Sequence, residues 1–119
     1  MRTNQIKLSE ADEQTMLFNW AAYIPELKWM HHIPNGGSRN PVEAKNLKRQ
    51  GTKRGVPDVF LPLPKGNYHG LYIEMKAGKN KLTDKQREFL DYANKNGYSA
   101  HVCYGHREAI KVIENYLEK

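Results

Sequence analysis

The chain contains 119 residues, of which 39% are hydrophobic and 27% charged, so it can form one domain with a single core and is too short for two. It has no run of about 18 apolar residues, which excludes a transmembrane helix, and its polar N-terminus lacks the apolar stretch of a secretory signal. Its formal net charge is +6, and its only cysteine, Cys103, cannot form an intramolecular disulfide. We therefore expect a single domain over residues 1–119 in the reducing environment of the cytoplasm.

The positive charge is concentrated in two parts of the chain. Residues 36–57 include six basic residues and one acid, which gives this segment a charge of +5, and three lysines lie between residues 76 and 81. Clustered basic residues of this kind are typical of a protein that binds a polyanion, and the alternative is a solvated basic helix without a partner. The basic residues expected to contact the polyanion are Arg39, Lys45, Lys48, Arg49, Lys53, Arg54, Lys79 and Lys81.

The first half of the chain predicts two helices separated by a short strand. Ser9, with Asp12 three residues later, is expected to cap a helix that ends before Pro25. Residues 27–33 are predicted to form a strand, and residues 34–38, with two glycines and a proline, a loop. A second helix over residues 42–49 starts after Pro41, is ended by Gly51 and carries much of the basic cluster.

The second half predicts a hairpin followed by a helix, a strand and a final helix. Residues 56–61 and 71–77 are apolar strands joined by a turn at residues 65–67. Thr83 is expected to cap the third helix, Asn96 and Gly97 to end it, and residues 98–104 to form the last strand before the last helix. The resulting order, α-β-α-β-β-α-β-α, predicts an α/β sandwich with a central mixed β-sheet flanked by helices.

Three polar residues in the hairpin are the candidates for chemistry. Side chains alternate along a strand, so Glu74 and Lys76 share one face of the strand over residues 71–77, and Asp58 lies in its apolar partner. Burying two carboxylates and a lysine costs free energy unless they are paired or bind a metal. Oxygen ligands suit Mg²⁺, which can polarise a phosphodiester and lower the pKa of a bound water. This pattern indicates phosphodiester cleavage.

The same residues resemble a known nuclease signature. Pro57-Asp58, followed after fifteen residues by Glu74-Met75-Lys76, is similar to the motif of the PD-(D/E)XK nuclease superfamily. More segments resemble one branch of it, the virus-type replication-repair nuclease (VRR-Nuc) domain, and together they cover almost the whole chain. These segments are residues 33–37, 51–58 and 68–76, and residues 82–86 with 97–98. The chain thus resembles the stand-alone domains of this branch found in phages and bacteria.

The resemblance implies a restriction-endonuclease-like three-layer sandwich and a DNA endonuclease that depends on Mg²⁺, with Mn²⁺ as a substitute. It implies that Asp58, Glu74 and the backbone carbonyl of Met75 hold the metal and that Lys76 is the catalytic lysine. The family also places a glutamate on the first helix, which falls on Glu10 or on Glu13. The alternative for Glu10 is a favourable interaction with the helix dipole.

Gln86 has two interpretations. The family places a glutamine here, which implies a supporting role in the site, whereas Thr83 and Gln86 also fit a capping box in which Gln86 binds only the backbone. Trp20, Trp29 and the tyrosines are expected to lie in the core rather than to stack on bases.

The resemblance to small resolvases of this fold implies cleavage of branched DNA, such as a Holliday junction, by a homodimer. The alternatives are a flap-directed or restriction-like nuclease of the same fold, or a DNA-binding module with an inactive nuclease site. The apolar residues available for a dimer interface are Trp29, Met30, Leu61, Leu63 and Tyr68.

Overall fold

The computed structural model describes residues 7–35 and 40–119. The predicted order of elements is confirmed, with one additional 3-10 helix, Pro25–Leu27, after the first α-helix. The elements are α1 (Glu10–Ala21), β1 (His31–His32), α2 (Pro41–Arg49), β2 (Val59–Leu61), β3 (Leu71–Lys76), α3 (Asp84–Lys95), β4 (Ser99–Tyr104) and α4 (His106–Leu117). Within the described ranges, no helix has both the length and the apolar character that a membrane span requires.

The four strands form one mixed sheet in the order β1-β2-β3-β4. The predicted hairpin is confirmed, because β2 and β3 are antiparallel with Val59 opposite Ile73, whereas β3 and β4 are parallel. Helices α1 and α4 cover one face and α3 covers the other, so the molecule has the expected three layers. The fold class predicted from the sequence is therefore confirmed.

The larger core lies between the sheet and helices α1 and α4. The alternate β3 residues Leu71, Ile73 and Met75 all point into it, as strand periodicity requires. Leu17 of α1 and Ile113 of α4 are fully buried against them. This packing fixes the opposite face of β3, with Tyr72, Glu74 and Lys76, toward α3.

The smaller core lies under α3. Leu90 and Ala93 of α3 pack on Ala100 of β4, and the aromatic rings of Phe60 and Tyr72 stack beside them with centroids 4.4 Å apart. The α3 cap is a capping box, as one interpretation of Gln86 required. Ser9 and Asp12 form a second capping box at the start of α1, so that prediction is also confirmed.

β1 and β2 are much shorter than predicted, and β3 and β4 are each one residue shorter than predicted. The strand expected over residues 27–33 is reduced to His31 and His32, because Pro25 starts a 3-10 helix that buries Leu27. The strand expected over residues 56–61 begins only at Val59. Pro57 has no amide N–H to donate to a strand ladder, which accounts for the later start.

The prediction of the dimer-interface residues is wrong in part. Met30 and Leu61 are buried in the larger core and are not available to a partner. Trp29, which the sequence places in the core, is 69% exposed, with the ammonium of Lys28 over its ring. Trp20 does pack against the core, and Tyr68 lies at the surface.

Candidate active site

Asp58 and Glu74 come together because β2 and β3 are adjacent antiparallel strands. Asp58 directly precedes β2, and its Oδ2 accepts a hydrogen bond of 2.9 Å from the backbone N–H of Met75. This bond turns the Asp58 carboxyl toward β3, where it lies within hydrogen-bond reach of the Glu74 carboxyl. Glu74 is only 2% exposed, whereas Asp58 is half-buried, so the pair lies at the edge of the interior.

The electrostatics of this pair favour the binding of a cation. Burial, and then the charge and hydrogen bond of Asp58, raise the pKa of Glu74 to about 9, although the positive charge of Lys76 opposes the shift. Two adjacent carboxylates cannot both ionise easily, so in the metal-free protein Glu74 keeps its proton near neutral pH. A divalent cation would replace that proton and neutralise both charges.

Lys76 follows Glu74 on the same face of β3. Its Nζ lies 3.9 Å from Glu74 Oε2, and its side chain is buried almost as fully. At this distance the two groups attract each other electrostatically, but the separation is longer than a charge-assisted hydrogen bond. The ammonium is therefore placed next to the carboxyl pair without being tightly bound to it.

Gln86 makes a contact that fits each of its two interpretations. Its Nε2 donates to Glu74 Oε2 at 3.2 Å, and its Oε1 accepts from the backbone N–H of Thr83 at 2.9 Å. Thr83 Oγ1 in turn accepts from the backbone N–H of Gln86. One amide group thus caps α3 and orients Glu74, so the two interpretations are compatible.

The two candidate glutamates of α1 have different surroundings. Glu13 Oε1 lies 2.7 Å from Nδ1 of His106 and accepts from its backbone N–H, which caps α4 where Gly105 supplies no side chain. Glu10 accepts a hydrogen bond of 2.6 Å from Asn80, which lies in the turn that follows β3. The structure therefore places Glu10 beside the turn at the end of β3, the strand that carries Glu74, and Glu13 against α4.

The residues at the pair fit a hard divalent cation. Oxygen donors in a partly closed site are what Mg²⁺ prefers, and Mg²⁺ usually keeps several of its waters. In the part of the chain that the structure describes, no three side chains of His, Cys, Asp or Glu form a larger metal-binding cluster. A cation here would depend on the two carboxylates together with backbone and water ligands.

Comparison with known proteins supplies the family. The family model described as the VRR-NUC domain matches residues 7–107. The chain belongs to the VRR-NUC domain family. A solved structure described as "VRR_NUC domain protein" is 34% identical, with a TM-score of 0.83, over 95% of this chain and 91% of that one. No curated protein matches the chain.

Membership confirms the resemblance on which the sequence analysis relied. The VRR-NUC fold is of the nuclease type, and nucleases of this family generally depend on a divalent metal and bind DNA. The Asp58–Glu74 pair lies inside the range that the family model matches.

Basic residues of this VRR-NUC domain lie on two connecting segments that adjoin the start of α3. Lys79 and Lys81 lie between β3 and α3, and Lys53 and Arg54 precede Gly55. Gly55 has a φ of +90°, and a Cβ there would lie 2.4 Å from the backbone oxygen of Lys85. Only glycine can lie this close to Lys85, so Gly55 allows the segment with Lys53 and Arg54 to pack against the first turn of α3.

The other predicted basic residues lie farther out or outside the described part of the chain. Lys45, Lys48 and Arg49 are on α2, which buries none of its nine residues. Arg39 lies outside the described residues. Helix α2 is thus an exposed basic helix rather than a part of either core.

Three residues in contact with candidate site residues were not predicted from the sequence. His32 Nδ1 lies 2.9 Å from the backbone oxygen of Asp58, His106 binds Glu13, and Asn80 binds Glu10. These contacts join residues 26, 93 and 70 positions apart, so no local spacing indicates them. Gly78 indicates a tight turn near Asn80 but gives no information about the partner of that side chain.

Proposed function

We propose that this VRR-NUC domain is a structure-selective DNA endonuclease that hydrolyses phosphodiester bonds with Mg²⁺, for which Mn²⁺ substitutes. The observation that carries the proposal is the pair formed by the buried Glu74 carboxyl and the half-buried Asp58 carboxyl, with the Lys76 ammonium beside it. A buried carboxyl with a strongly raised pKa next to a specific charge partner is typical of a functional site.

Each residue of the site has a part in this proposal. Asp58, Glu74 and the Met75 carbonyl would hold the cation, which would polarise the scissile phosphate and lower the pKa of a bound water. Gln86 keeps the Glu74 carboxyl oriented, and the Met75 N–H does the same for Asp58. Lys76 places a positive charge where negative charge develops on the phosphate during cleavage.

Branched DNA is the proposed substrate because the basic residues lie on separate segments that adjoin the start of α3. Lys53 and Arg54 lie on the segment between α2 and β2, and Lys79 and Lys81 lie on the segment between β3 and α3. The exposed basic helix α2 enlarges this basic surface. Contacts of this kind recognise the backbone and its shape rather than the bases. A Holliday junction, whose arms present several backbones at once, matches such an arrangement.

A cleavage panel tests the activity and the substrate together. Four-way junction, flap, bubble, duplex and single-stranded DNA are incubated at one salt concentration with Mg²⁺, Mn²⁺ or EDTA. We expect metal-dependent cleavage that is fastest on the junction and absent in EDTA. Preference for a flap or for plain duplex would replace the resolvase assignment by a flap-directed or restriction-like one. Binding without cleavage, with either metal, would indicate an inactive module.

Resolution of a junction needs two symmetric cuts, so we propose a homodimer. Exposed Trp29 and Tyr68 remain available for its interface.

The dimer is not expected to form by extending the sheet from β4. The side chain of Asn94 pairs with both the N–H and the C=O of Ala100 on that strand, and Glu108 accepts from the N–H of Tyr104. Light scattering with junction bound measures the mass, and a strict monomer would contradict the resolvase assignment.

A further inference from the structure

The turn between β3 and α3 is attached to the sheet by its backbone. The N–H of Asn80 donates to the carbonyl of Ala77 at 3.2 Å, and Gly78 has a positive φ of 58° in the middle of this turn. The hydroxyl of Tyr104, at the end of β4, donates to the Asn80 carbonyl at 2.8 Å. The backbone of Asn80 is therefore bonded to the ends of both β3 and β4.

The side chain of Asn80 points across to α1. Its Nδ2 donates to Glu10 Oε2 at 2.6 Å, which joins a turn on the sheet to the first turn of the helix. One helical turn later, Glu13 is bonded to His106, so this part of α1 is fixed in its rotation. Glu10 itself has three side-chain torsions and is only partly buried, and the bond to Asn80 is what selects one of its conformations.

We propose that Asn80 is a positioning residue that holds the Glu10 carboxylate at the rim of the Asp58–Glu74 pair, where its negative charge strengthens binding of the divalent cation. The inference rests on the proposed metal-dependent function of this site. Asn80 lies four residues after Lys76, the last residue of β3, so its bond to Glu10 brings that carboxylate to the end of the strand that carries Glu74. Without Asn80, the same carboxylate is free to turn toward solvent.

Calorimetric titration of Mn²⁺ into the whole chain, without DNA, tests this role. We expect Asn80→Ala and Glu10→Gln each to weaken Mn²⁺ binding on the order of tenfold, as loss of an outer hydrogen-bond partner typically does. The double variant is expected to be no weaker than Glu10→Gln alone, because Asn80 acts only through Glu10. Asn67→Ala, in an exposed turn elsewhere, is the matched control and should bind Mn²⁺ like the wild type.

One further variant separates positioning from a loss of side-chain volume. Asn80→Leu keeps the approximate size of the side chain but has no N–H to donate to Glu10, so it should weaken Mn²⁺ binding as much as Asn80→Ala. Melting of the metal-free proteins should show that all variants are folded.

The results also distinguish this inference from the proposed nuclease activity. Wild-type Mn²⁺ affinity in Asn80→Ala or in Glu10→Gln would overturn the inference, and so would fully additive effects in the double variant. If the wild type binds Mn²⁺ with the expected pattern but cuts none of the DNA substrates, the nuclease proposal fails and the role of Asn80 stands. If the wild type binds no Mn²⁺, both fail.

Discussion

Replacing Glu74 with glutamine should stabilise the metal-free protein while removing its activity. The substitution keeps the size of the side chain and its ability to bond Gln86 and Asp58, but it removes the ionisable group. Burial and the neighbouring Asp58 raise the pKa of the Glu74 carboxyl from 4.5 to about 9. The folded protein therefore binds this proton more tightly than the unfolded chain does. It follows that the contribution of Glu74 to the stability of the metal-free protein falls as pH rises from about 4.5 to about 9.

The size of the effect follows from the interval between the unfolded pKa and the pH of the measurement. At pH 7 the interval is about 2.5 units, and each unit corresponds to about 1.36 kcal/mol, so Glu74 costs about 3 kcal/mol of stability there. Glutamine has no such cost. For a domain of this size, about 3 kcal/mol corresponds to a rise in Tm on the order of 10 °C. Near pH 4.5 the two proteins should differ little.

Thermal melting in EDTA at several pH values measures this difference. Glu88→Gln is the control, because Glu88 is an exposed carboxylate that forms an ion pair of 3.6 Å with the exposed Lys85. Adding Mn²⁺ should raise the Tm of the wild type and have little effect on Glu74→Gln. A Glu74→Gln protein that melts at or below the wild type at pH 8 in EDTA would refute the electrostatic argument for the site.

Three other sets of substitutions test separate parts of the molecule. Asp58→Ala should lose Mn²⁺ affinity together with cleavage. Lys76→Ala should keep Mn²⁺ affinity but lose about 10²-fold or more in turnover. Calorimetry measures the Mn²⁺ affinity of both variants, and single-turnover kinetics measures their cleavage rates. Removing one phosphate-binding side chain should reduce the slope of log K against log salt for duplex DNA by about 0.9, and an unchanged slope would show that the basic segment faces solvent. The combined variant for that measurement neutralises Lys48, Arg49, Lys53 and Arg54. Gly55→Ala should lower the free energy of unfolding, measured with denaturant, by more than about 1 kcal/mol. Both the φ of +90° at Gly55 and its closeness to the backbone of Lys85 oppose a side chain there. Gly51→Ala is the control and should cost less, because Gly51 also has a positive φ but a Cβ there would meet no neighbouring atom.

Features determined by neighbouring residues were predictable from the sequence. The cap at Thr83 depends on a residue three positions away, and the burial of alternate β3 residues follows from strand periodicity. The pairing of β2 with β3 follows from their apolar character and the short connection between them. These same features bring Asp58 next to Glu74, which is why the centre of the candidate site could be found without a structure.

Features determined by distant residues were not predictable in this way. The choice between Glu10 and Glu13 depends on Asn80 and His106, which lie 70 and 93 residues farther along the chain. The exposure of Trp29 depends on how the 3-10 helix turns the chain before β1, and apolar composition carries no information about that turn. Periodicity shows which face of an element is buried but not which residue of another element meets it.

Gln86 joins the two kinds of information, and this explains why its role could be proposed but not decided. Its spacing from Thr83 is a local signal that predicts a cap and nothing more. Its bond to Glu74 exists because α3 packs on β4 and directs its first turn toward β3. A side chain that both starts a helix and orients a site residue couples the stability of α3 to the geometry of the site.

Gln86→Glu should therefore retain the cap, since glutamate also fits a capping box, but should weaken the orientation of Glu74 by replacing a donor with a second negative charge. Melting should then show a folded protein, and Mn²⁺ titration should show altered affinity; a Gln86→Glu protein with wild-type Mn²⁺ affinity would mean that the Gln86 amide serves the helix alone.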